Sequence, residues 1–86
     1  MRLAFILDPL DSLKVAKDSS IAMMRAAQAA GHAVWAIEQS ALHFSSLHGV
    51  SAEALHLELS DDDTAWYREV LRHDVRLRDF AAVIMR

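Results

Sequence analysis

The chain contains no cysteine, only one proline and only two glycines among its 86 residues. The absence of cysteine excludes a disulfide framework, thiolate chemistry and any zinc site built on cysteine. Few proline and glycine residues, with 53% hydrophobic and 24% charged residues, are typical of a folded unit rather than of a linker or a disordered tail. At this length we expect one small domain with a thin core.

An excess of basic charge is also missing. The formal net charge is -3 and the basic residues are scattered, so the charge pattern does not favour nucleic acid or an anionic membrane as a partner. The first residues resemble a secretory signal, but the apolar run is cut at Asp8 and no small-residue cleavage site follows. We therefore predict a cytoplasmic protein.

Several short motifs for cofactors and metals are absent as well. The sequence has neither the G-x-G-x-x-G pattern of dinucleotide sites nor the G-K-[ST] of a P-loop. The acidic run 61–63 lacks the glycine and closing glutamate of a calcium loop, and we interpret it as a solvated turn. The histidines show no metal-like spacing; they are His32, His43, His48, His56 and His73. We predict no metal site and no catalytic residue.

The first half of the chain reads as a strand, a loop, a helix and a second strand. The apolar run 2–7 does not alternate, which predicts a strand buried on both faces, and Asp8-Pro9 ends it. Asp18, Ser19 and Ser20 offer oxygens for a helix start, and strong helix formers follow up to Gly31. A second apolar run at 33–37 then completes the spacing of a right-handed βαβ unit with parallel strands.

The second half predicts further strands. Leu55, Leu57 and Leu59 alternate with His56 and Glu58, which is typical of an antiparallel hairpin with leucines inward and the polar residues outward. The pattern of apolar and polar residues does not decide whether residues 65–73 form a capped helix or an alternating strand. The apolar run 81–85 predicts a third strand buried on both sides. Because one helix covers only one face of a parallel sheet, we expect the other face to be apolar and unshielded.

An ordered series of matches runs along this chain. It consists of Asp8-Pro9-Leu10, residues 17–24, residues 27–32 with Glu38, Trp66-Tyr67, and Val83-Ile84-Met85-Arg86. Together they closely resemble the N-terminus of bacterial glutathione synthetase over essentially the whole chain. The resemblance implies a Rossmann-like pre-ATP-grasp domain of the α/β class over residues 1–86, with a small parallel sheet, one main helix and an appended antiparallel hairpin. It also favours a strand at 65–73.

The resemblance implies a function that these residues alone do not supply. In that family ATP activates the cysteinyl carboxylate of γ-glutamylcysteine, and the amine of glycine displaces the phosphate with help from magnesium. The family continues beyond the position of Arg86 with a Lys-Asp-Pro-Pro motif and the ATP-grasp domains. We therefore expect a truncated, substrate-side fragment, inactive alone, that forms a homo-oligomer and leaves ATP and Mg²⁺ to the full-length enzyme.

Four residues are candidates for substrate binding. Asp8 follows the first strand, where open α/β sheets bind ligands, and the helix amides at Ser19 and Ser20 suit an anionic group. Alternatively, Asp8 and Asp18 only cap local backbone, and the two serines merely start the helix. The resemblance implies that Arg86 lies beside the γ-glutamylcysteine pocket, where a guanidinium can bind a carboxylate with two hydrogen bonds. The alternative for Arg86 is a solvated terminus.

Three other functions remain open at this stage. The chain could be a self-associating α/β module whose uncovered sheet face drives dimer formation. It could belong to another ATP-grasp ligase. It could also be a receiver-like or flavodoxin-like fragment with Asp8 as an acidic site at a strand end, although no second motif supports this.

Overall fold

A six-stranded mixed sheet organises the residues that the structure, a computed structural model, describes: 1–14, 19–46, 49–62 and 64–85. The sheet order is β3-β4-β2-β1-β6, and β5 also pairs with β4. The elements are β1 (Arg2–Leu7), α1 (Ser19–Ala29), β2 (Ala33–Glu38), β3 (Leu42–Ser45), β4 (Gly49–Leu59), β5 (Tyr67–Arg76) and β6 (Ala82–Met85). Short 3-10 helices lie at Leu10–Ser12, Gln39–Ala41 and Leu77–Asp79.

β1 lies between β2 and β6 and runs parallel to both. Leu3 is in register with Val34 on one side and with Ala82 on the other. The helix between β1 and β2 ends where predicted, because Gly31 adopts a φ of 92° and its N–H bonds the carbonyl of Gln28 at 2.9 Å. The predicted helix start at Asp18 lies outside the described residues.

The remaining strands are antiparallel. β4 is 11 residues long, and it pairs with β2, with β3 and, along most of its length, with β5. β5 confirms the strand interpretation of residues 65–73 from Tyr67 onward, whereas Ala65 and Trp66 precede the strand. The predicted parallel pairing of β1 with β2 is present, but the prediction of a small parallel sheet with an appended hairpin is corrected: β4 pairs antiparallel with β2, β3 and β5, so the sheet is mixed and mostly antiparallel.

One face of the sheet packs against α1. Leu55, Leu57 and Leu59 point to this face, as predicted, and Met24 of α1 is fully buried among them. The buried residues of this helix-side core are Phe5, Leu7, Leu10, Ile21, Met24, Val34, Ala36, Leu55, Leu57, Leu59 and Trp66. Removing such apolar side chains from water is the main favourable contribution to the stability of a small domain.

The second face of the sheet is buried as well. Ile6 and Ile37 are 2% and 0% exposed there, and Trp35 is 5% exposed. Val75 of β5 and Phe80, which precedes β6, pack against this cluster. The expectation of an unshielded second face is therefore wrong, since the distant strand β5 and Phe80 supply the missing cover.

Two smaller expectations also change. His56, predicted to face outward, stacks on Trp35 with ring centroids 4.9 Å apart, whereas Glu58 is exposed and pairs with Arg68 at 2.8 Å. β6 is a strand, as predicted, but it is not buried on both sides: Val83 and Met85 are 39% and 68% exposed. No helix in the described part of the chain is long and apolar enough to cross a membrane.

Candidate functional site

The carboxyl ends of the three parallel strands meet at one edge of the sheet, which we call the carboxyl edge. Leu7 is in register with Glu38, and Ile6 with Met85, so β1, β2 and β6 end at the same level. Asp8 follows β1 directly and its side chain is exposed. Open α/β sheets bind ligands at such an edge. The candidate Arg86, which follows Met85 in sequence, lies outside the described residues.

The amino terminus of α1 lies toward the same edge. α1 ends at Ala29, and the chain enters β2 at Ala33. Ala33 is in register with Arg2, which lies at the edge of the sheet opposite the carboxyl edge. α1 therefore runs along the sheet from the carboxyl edge to the opposite edge. Ser19 and Ser20 are its first two residues. Ser19 is exposed and Ser20 is 3% exposed, so a ligand at this edge would meet Ser19 and the helix amides before the Ser20 side chain.

An open cleft of about 630 Å³, which we call the edge cleft, lies between the segment after β1 and the segment before β5. Its lining includes Leu10, Asp11, Leu13, Thr64, Trp66 and Tyr67. The Tyr67 hydroxyl donates to Oδ1 of Asp11 at 3.4 Å, and the Trp66 and Tyr67 rings meet edge to face at 4.5 Å. Sequence reasoning missed this cleft, although the adjacent aromatic residues at 66 and 67 were a signal for it.

The environment of Tyr67 keeps its hydroxyl protonated. Burial raises the pKa of Tyr67 above its ordinary value, and the negative charge and hydrogen bond of Asp11 raise it further. Tyr67 is therefore suited to donate a hydrogen bond in the edge cleft rather than to act as a base.

The turn before β5 fixes the other wall of the edge cleft. The carboxylate of Asp62 accepts the Thr64 N–H at 2.9 Å and the Thr64 hydroxyl at 2.8 Å, and these bonds lower the pKa of Asp62. The N–H of Ser60 bonds the carbonyl of Trp66 at 2.8 Å and closes the loop. Asp61 and Asp62 are exposed, which agrees with the predicted solvated turn; Asp63 lies outside the described residues.

Neither edge of the described sheet offers a metal site. Within residues 1–14, 19–46, 49–62 and 64–85, no three His, Cys, Asp or Glu side chains come close enough together to hold a metal ion. Among the described residues, the side chains at the carboxyl edge are therefore hydrogen-bonding and charged groups that would bind a substrate, with no cluster of three metal ligands.

The fold and its polar edge define a small α/β domain in which a mixed sheet carries one helix. Comparison with known proteins is more specific. The sequence model described as prokaryotic glutathione synthetase, N-terminal domain, matches residues 1–86. The chain therefore belongs to the family of glutathione synthetase N-terminal domains.

Individual relatives agree with this family. The chain is 45% identical over 89 residues to the glutathione synthetase of Nitrosomonas europaea, a match covering 100% of this chain and 28% of the relative. It is 43% identical over 86 residues to that of Ralstonia nicotianae, covering 100% of this chain and 26% of the relative. The match to the enzyme of Gloeobacter violaceus is 39% over 67 residues, or 78% of this chain and 20% of the relative. The chain thus spans about a quarter of the length of the first two relatives.

Proposed function

We propose that this chain is the N-terminal, substrate-side domain of a glutathione synthetase, an ATP-dependent ligase that joins glycine to γ-glutamylcysteine. The family match over residues 1–86 carries the proposal. In this proposal residues 1–86 form a single Rossmann-like pre-ATP-grasp domain, to which the three parallel strands belong. The domain contributes one wall of the substrate cleft and is inactive alone.

In this proposal the carboxyl edge of the sheet binds the substrate. Asp8 would accept hydrogen bonds from the ammonium group of γ-glutamylcysteine, because its carboxylate is exposed just beyond β1. The amides at Ser19 and Ser20 would bind a substrate carboxylate at the start of α1. Arg86 would bind a second carboxylate with its planar guanidinium.

Activation of the carboxylate would come from ATP and Mg²⁺ held elsewhere in the enzyme. The described residues offer no cluster of metal ligands, and the sequence has no glycine-rich phosphate loop. The task of this domain is then to hold and orient the peptide, which lowers the entropic cost of bringing it to the reacting groups. A cytoplasmic location and assembly into a homo-oligomer complete the proposal.

A chimera tests this function. The segment of the Nitrosomonas europaea enzyme that matches this chain is replaced by residues 1–86, and ATP-dependent formation of glutathione from glycine and γ-glutamylcysteine is measured. We expect an active chimera and no activity from the isolated chain. A folded chimera that still binds ATP but forms no glutathione would contradict the proposal, as would ligase activity of the isolated chain.

The other candidate functions have less support. A self-associating module required an unshielded sheet face, yet Ile6, Trp35 and Ile37 on that face are buried. A receiver-like or flavodoxin-like function required a second motif, and the sequence contains none beside Asp8. Light scattering on the isolated chain tests self-association separately.

A further inference from the structure

β5 is the outermost strand on one side of the sheet. Among the described strands it pairs only with β4, and β2 and β3 lie on the other side of β4, because they pair with residues of β4 that β5 also contacts. Alternate residues of a strand direct their N–H and C=O groups to opposite sides, so β5 presents unpaired backbone groups along its outer side. An open strand of 10 residues is a surface to which another strand can add.

The regular part of this open side consists of residues 71–76, which we call the β5 edge. The register between β4 and β5 shifts between His56 and Leu57, and Val70 has no partner on β4. Such a bulge bends a strand and interrupts regular pairing. From the next residue onward the register continues without a shift to the end of β5, so these six residues can take a further strand in regular geometry.

Apolar residues of the β5 edge lie on the second face of the sheet. Val75 packs in the core of this face, and the ring of His73 lies 5.1 Å from that of Trp35 there. Because side chains alternate along a strand, Leu71 lies on the same face. It is 41% exposed, so this large apolar side chain lacks full cover at the open side of the sheet. A strand added to the β5 edge would cover it.

Charged residues of the β5 edge lie on the opposite, helix-side face. Arg72 is in register with Leu55 of the helix-side core, and Asp74 follows two residues later. Asp74 is in register with Glu53, which has the same charge, and it forms no ion pair within the described part of the chain. Arg72 bonds Glu53 at 2.6 Å through Nη1 and Glu69 at 2.8 Å through Nε. A guanidinium has five N–H donors, so Arg72 can also bind a further carboxylate.

We propose that the β5 edge binds the β5 edge of a second copy of this chain, antiparallel and with a two-fold axis at His73. In this register Arg72 is opposite Asp74 of the second copy, and Leu71 is opposite Val75 of the second copy. Opposite charges and apolar side chains directly across two strands stabilise their pairing, and the axis makes each pair occur twice. The strands would share about four to six backbone hydrogen bonds and join the two sheets into one.

Other two-fold registers are less favourable. An axis at Arg72 places two guanidinium groups opposite each other, and an axis at Asp74 does the same with two carboxylates. An axis at Val75 pairs Asp74 with Arg76, but it joins only three residues of each strand before β5 ends. An axis at Leu71 extends across the bulge, where the faces of the two strands no longer match. The proposed register is therefore the longest one in which opposite charges meet.

The pairing would provide the interface of the homo-oligomer in the function proposed above. It rests on that function only for the expectation of a homo-oligomer, and it needs neither ATP nor a substrate. Its tests measure association and not ligase activity, so their failure would leave the ligase function intact, and an inactive chimera would leave the pairing intact. One added strand buries less area than a standard stable interface, so we expect weak, concentration-dependent association.

Sedimentation equilibrium of the chain at pH 8 measures this association. We expect a monomer–dimer equilibrium. Asp74→Arg should weaken it at least about tenfold, because two cations then meet across the strands at two places in each dimer. The same substitution removes a carboxylate from its position opposite Glu53, so the variant should be at least as stable in urea as the parent chain. Asp61→Arg, an equal change of charge in the exposed turn, should leave the association unchanged.

Mixing two variants that each fail to associate tests the charge pairing itself. Arg72→Asp places carboxylates opposite each other in its own dimer, so it should associate as weakly as Asp74→Arg. In the mixture every cation of one variant is opposite a carboxylate of the other. A heterodimer should therefore form with an affinity within about tenfold of that of the parent dimer. Two folded variants that do not associate when mixed would contradict the register.

A single introduced cysteine locates the two-fold axis, since the chain has no cysteine of its own. Residues directly opposite in an antiparallel pair have Cα atoms about 4.5–5.5 Å apart, which suits a disulfide. His73→Cys should therefore give a disulfide-linked dimer under mild oxidation. Leu71→Cys should not, because its copy would lie about 13 Å away along the strand.

Three results would each overturn the proposal. The first is a chain that stays monomeric at about 1 mM, where even a weak interface associates. The second is unchanged association of folded Asp74→Arg, which would place the interface on another surface. The third is faster disulfide formation by Leu71→Cys than by His73→Cys, which would show a different register.

Discussion

The side-chain amide of Gln28 pairs with the backbone of Leu59 as a neighbouring strand would. Its Nε2 donates to the Leu59 carbonyl at 2.9 Å, and its Oε1 accepts the Leu59 N–H at 2.7 Å. Both groups are partly buried and 31 residues apart in sequence. α1 is thus attached to the last residue of β4 by hydrogen bonds as well as by apolar packing.

Gln28→Met tests this pair. Methionine has a similar length but no hydrogen-bonding capacity comparable to an amide, so both backbone groups of Leu59 lose their partner. We expect a loss of about 1–3 kcal/mol in the free energy of unfolding, measured by urea denaturation. Gln28→Glu retains the acceptor and regains a donor only when protonated. Because the ionised carboxylate would face the Leu59 carbonyl, its pKa in the folded state should lie above the ordinary glutamate value of about 4.3. The deficit should therefore shrink as the pH falls through that higher folded-state value and become constant below about 4, and a pH-independent deficit would contradict the pairing.

Adjacent methionines on α1 should differ sharply in their contribution to stability. Met24 is 0% exposed in the helix-side core, whereas Met23 is 38% exposed. Met24→Ala should cost about 2–5 kcal/mol, because it leaves a cavity between α1 and the sheet. Met23→Ala is the matched control and should change stability by less than about 0.5 kcal/mol. Similar values for the two variants in thermal or urea unfolding would show that α1 packs through another face.

Tyr67 is the only tyrosine, so the absorbance of its phenolate can be titrated directly. Burial and then Asp11 raise its pKa, which means that the protonated form stabilises the fold. This contribution is complete below the ordinary tyrosine pKa of about 10 and is lost as the pH rises through the higher folded-state value. Asp11→Asn should move the pKa of Tyr67 down toward the ordinary value. Asp61→Asn, in the nearby turn, should leave it in place.

Gly31 is needed for its backbone conformation and not for space. Its φ is 92°, and a Cβ built at this position would have no atom within 4 Å. Gly31→Ala should therefore cost about 1–2 kcal/mol through backbone strain alone, and Gly31→Asn should cost less, because asparagine tolerates this region better. Urea unfolding of the three proteins gives the comparison, and equal stability of Gly31→Ala and the parent chain would refute it.

Asp8 can be tested in the chimeric ligase. Asp8→Asn should raise the KM for γ-glutamylcysteine by about tenfold, since the variant loses a charged hydrogen-bond partner for the ammonium group. Its melting temperature should stay the same, because Asp8 is exposed. Asp61→Asn is a control for the change of net charge. A KM that changes only together with the melting temperature would point to a structural role.

Local patterns in the sequence predicted the βαβ part of the fold. The prediction of β1 and β2 needed only their apolar composition, and the prediction of the helix end needed only the glycine at position 31. Residues 65–73 could not be assigned in this way, because their pattern of apolar and polar residues fits both a helix and an alternating strand. Residues 67–73 form a strand because β4 offers a long partner, which is a tertiary effect that no local pattern contains.

The parts that could not be predicted depend on residues far apart in the chain. The edge cleft requires Asp11 and Tyr67, which are 56 residues apart. The cover of the second face requires Val75 and Phe80 to reach Trp35, and this depends on the course of β4 and β5. Asp8 could be placed from the sequence because the carboxyl end of a parallel strand follows from strand direction alone.

The pairing of β1 with β6 has a consequence for how the molecule reaches its native state. Leu3 and Ala82 are neighbours in space although nearly the whole sequence separates them. Topologies rich in such distant contacts fold slowly, because a long loop must close before the contact gives any stabilisation. During synthesis, β1 can therefore pair with β6 only after β6 has emerged from the ribosome. Until then one edge of β1 is unpaired and can pair with other chains.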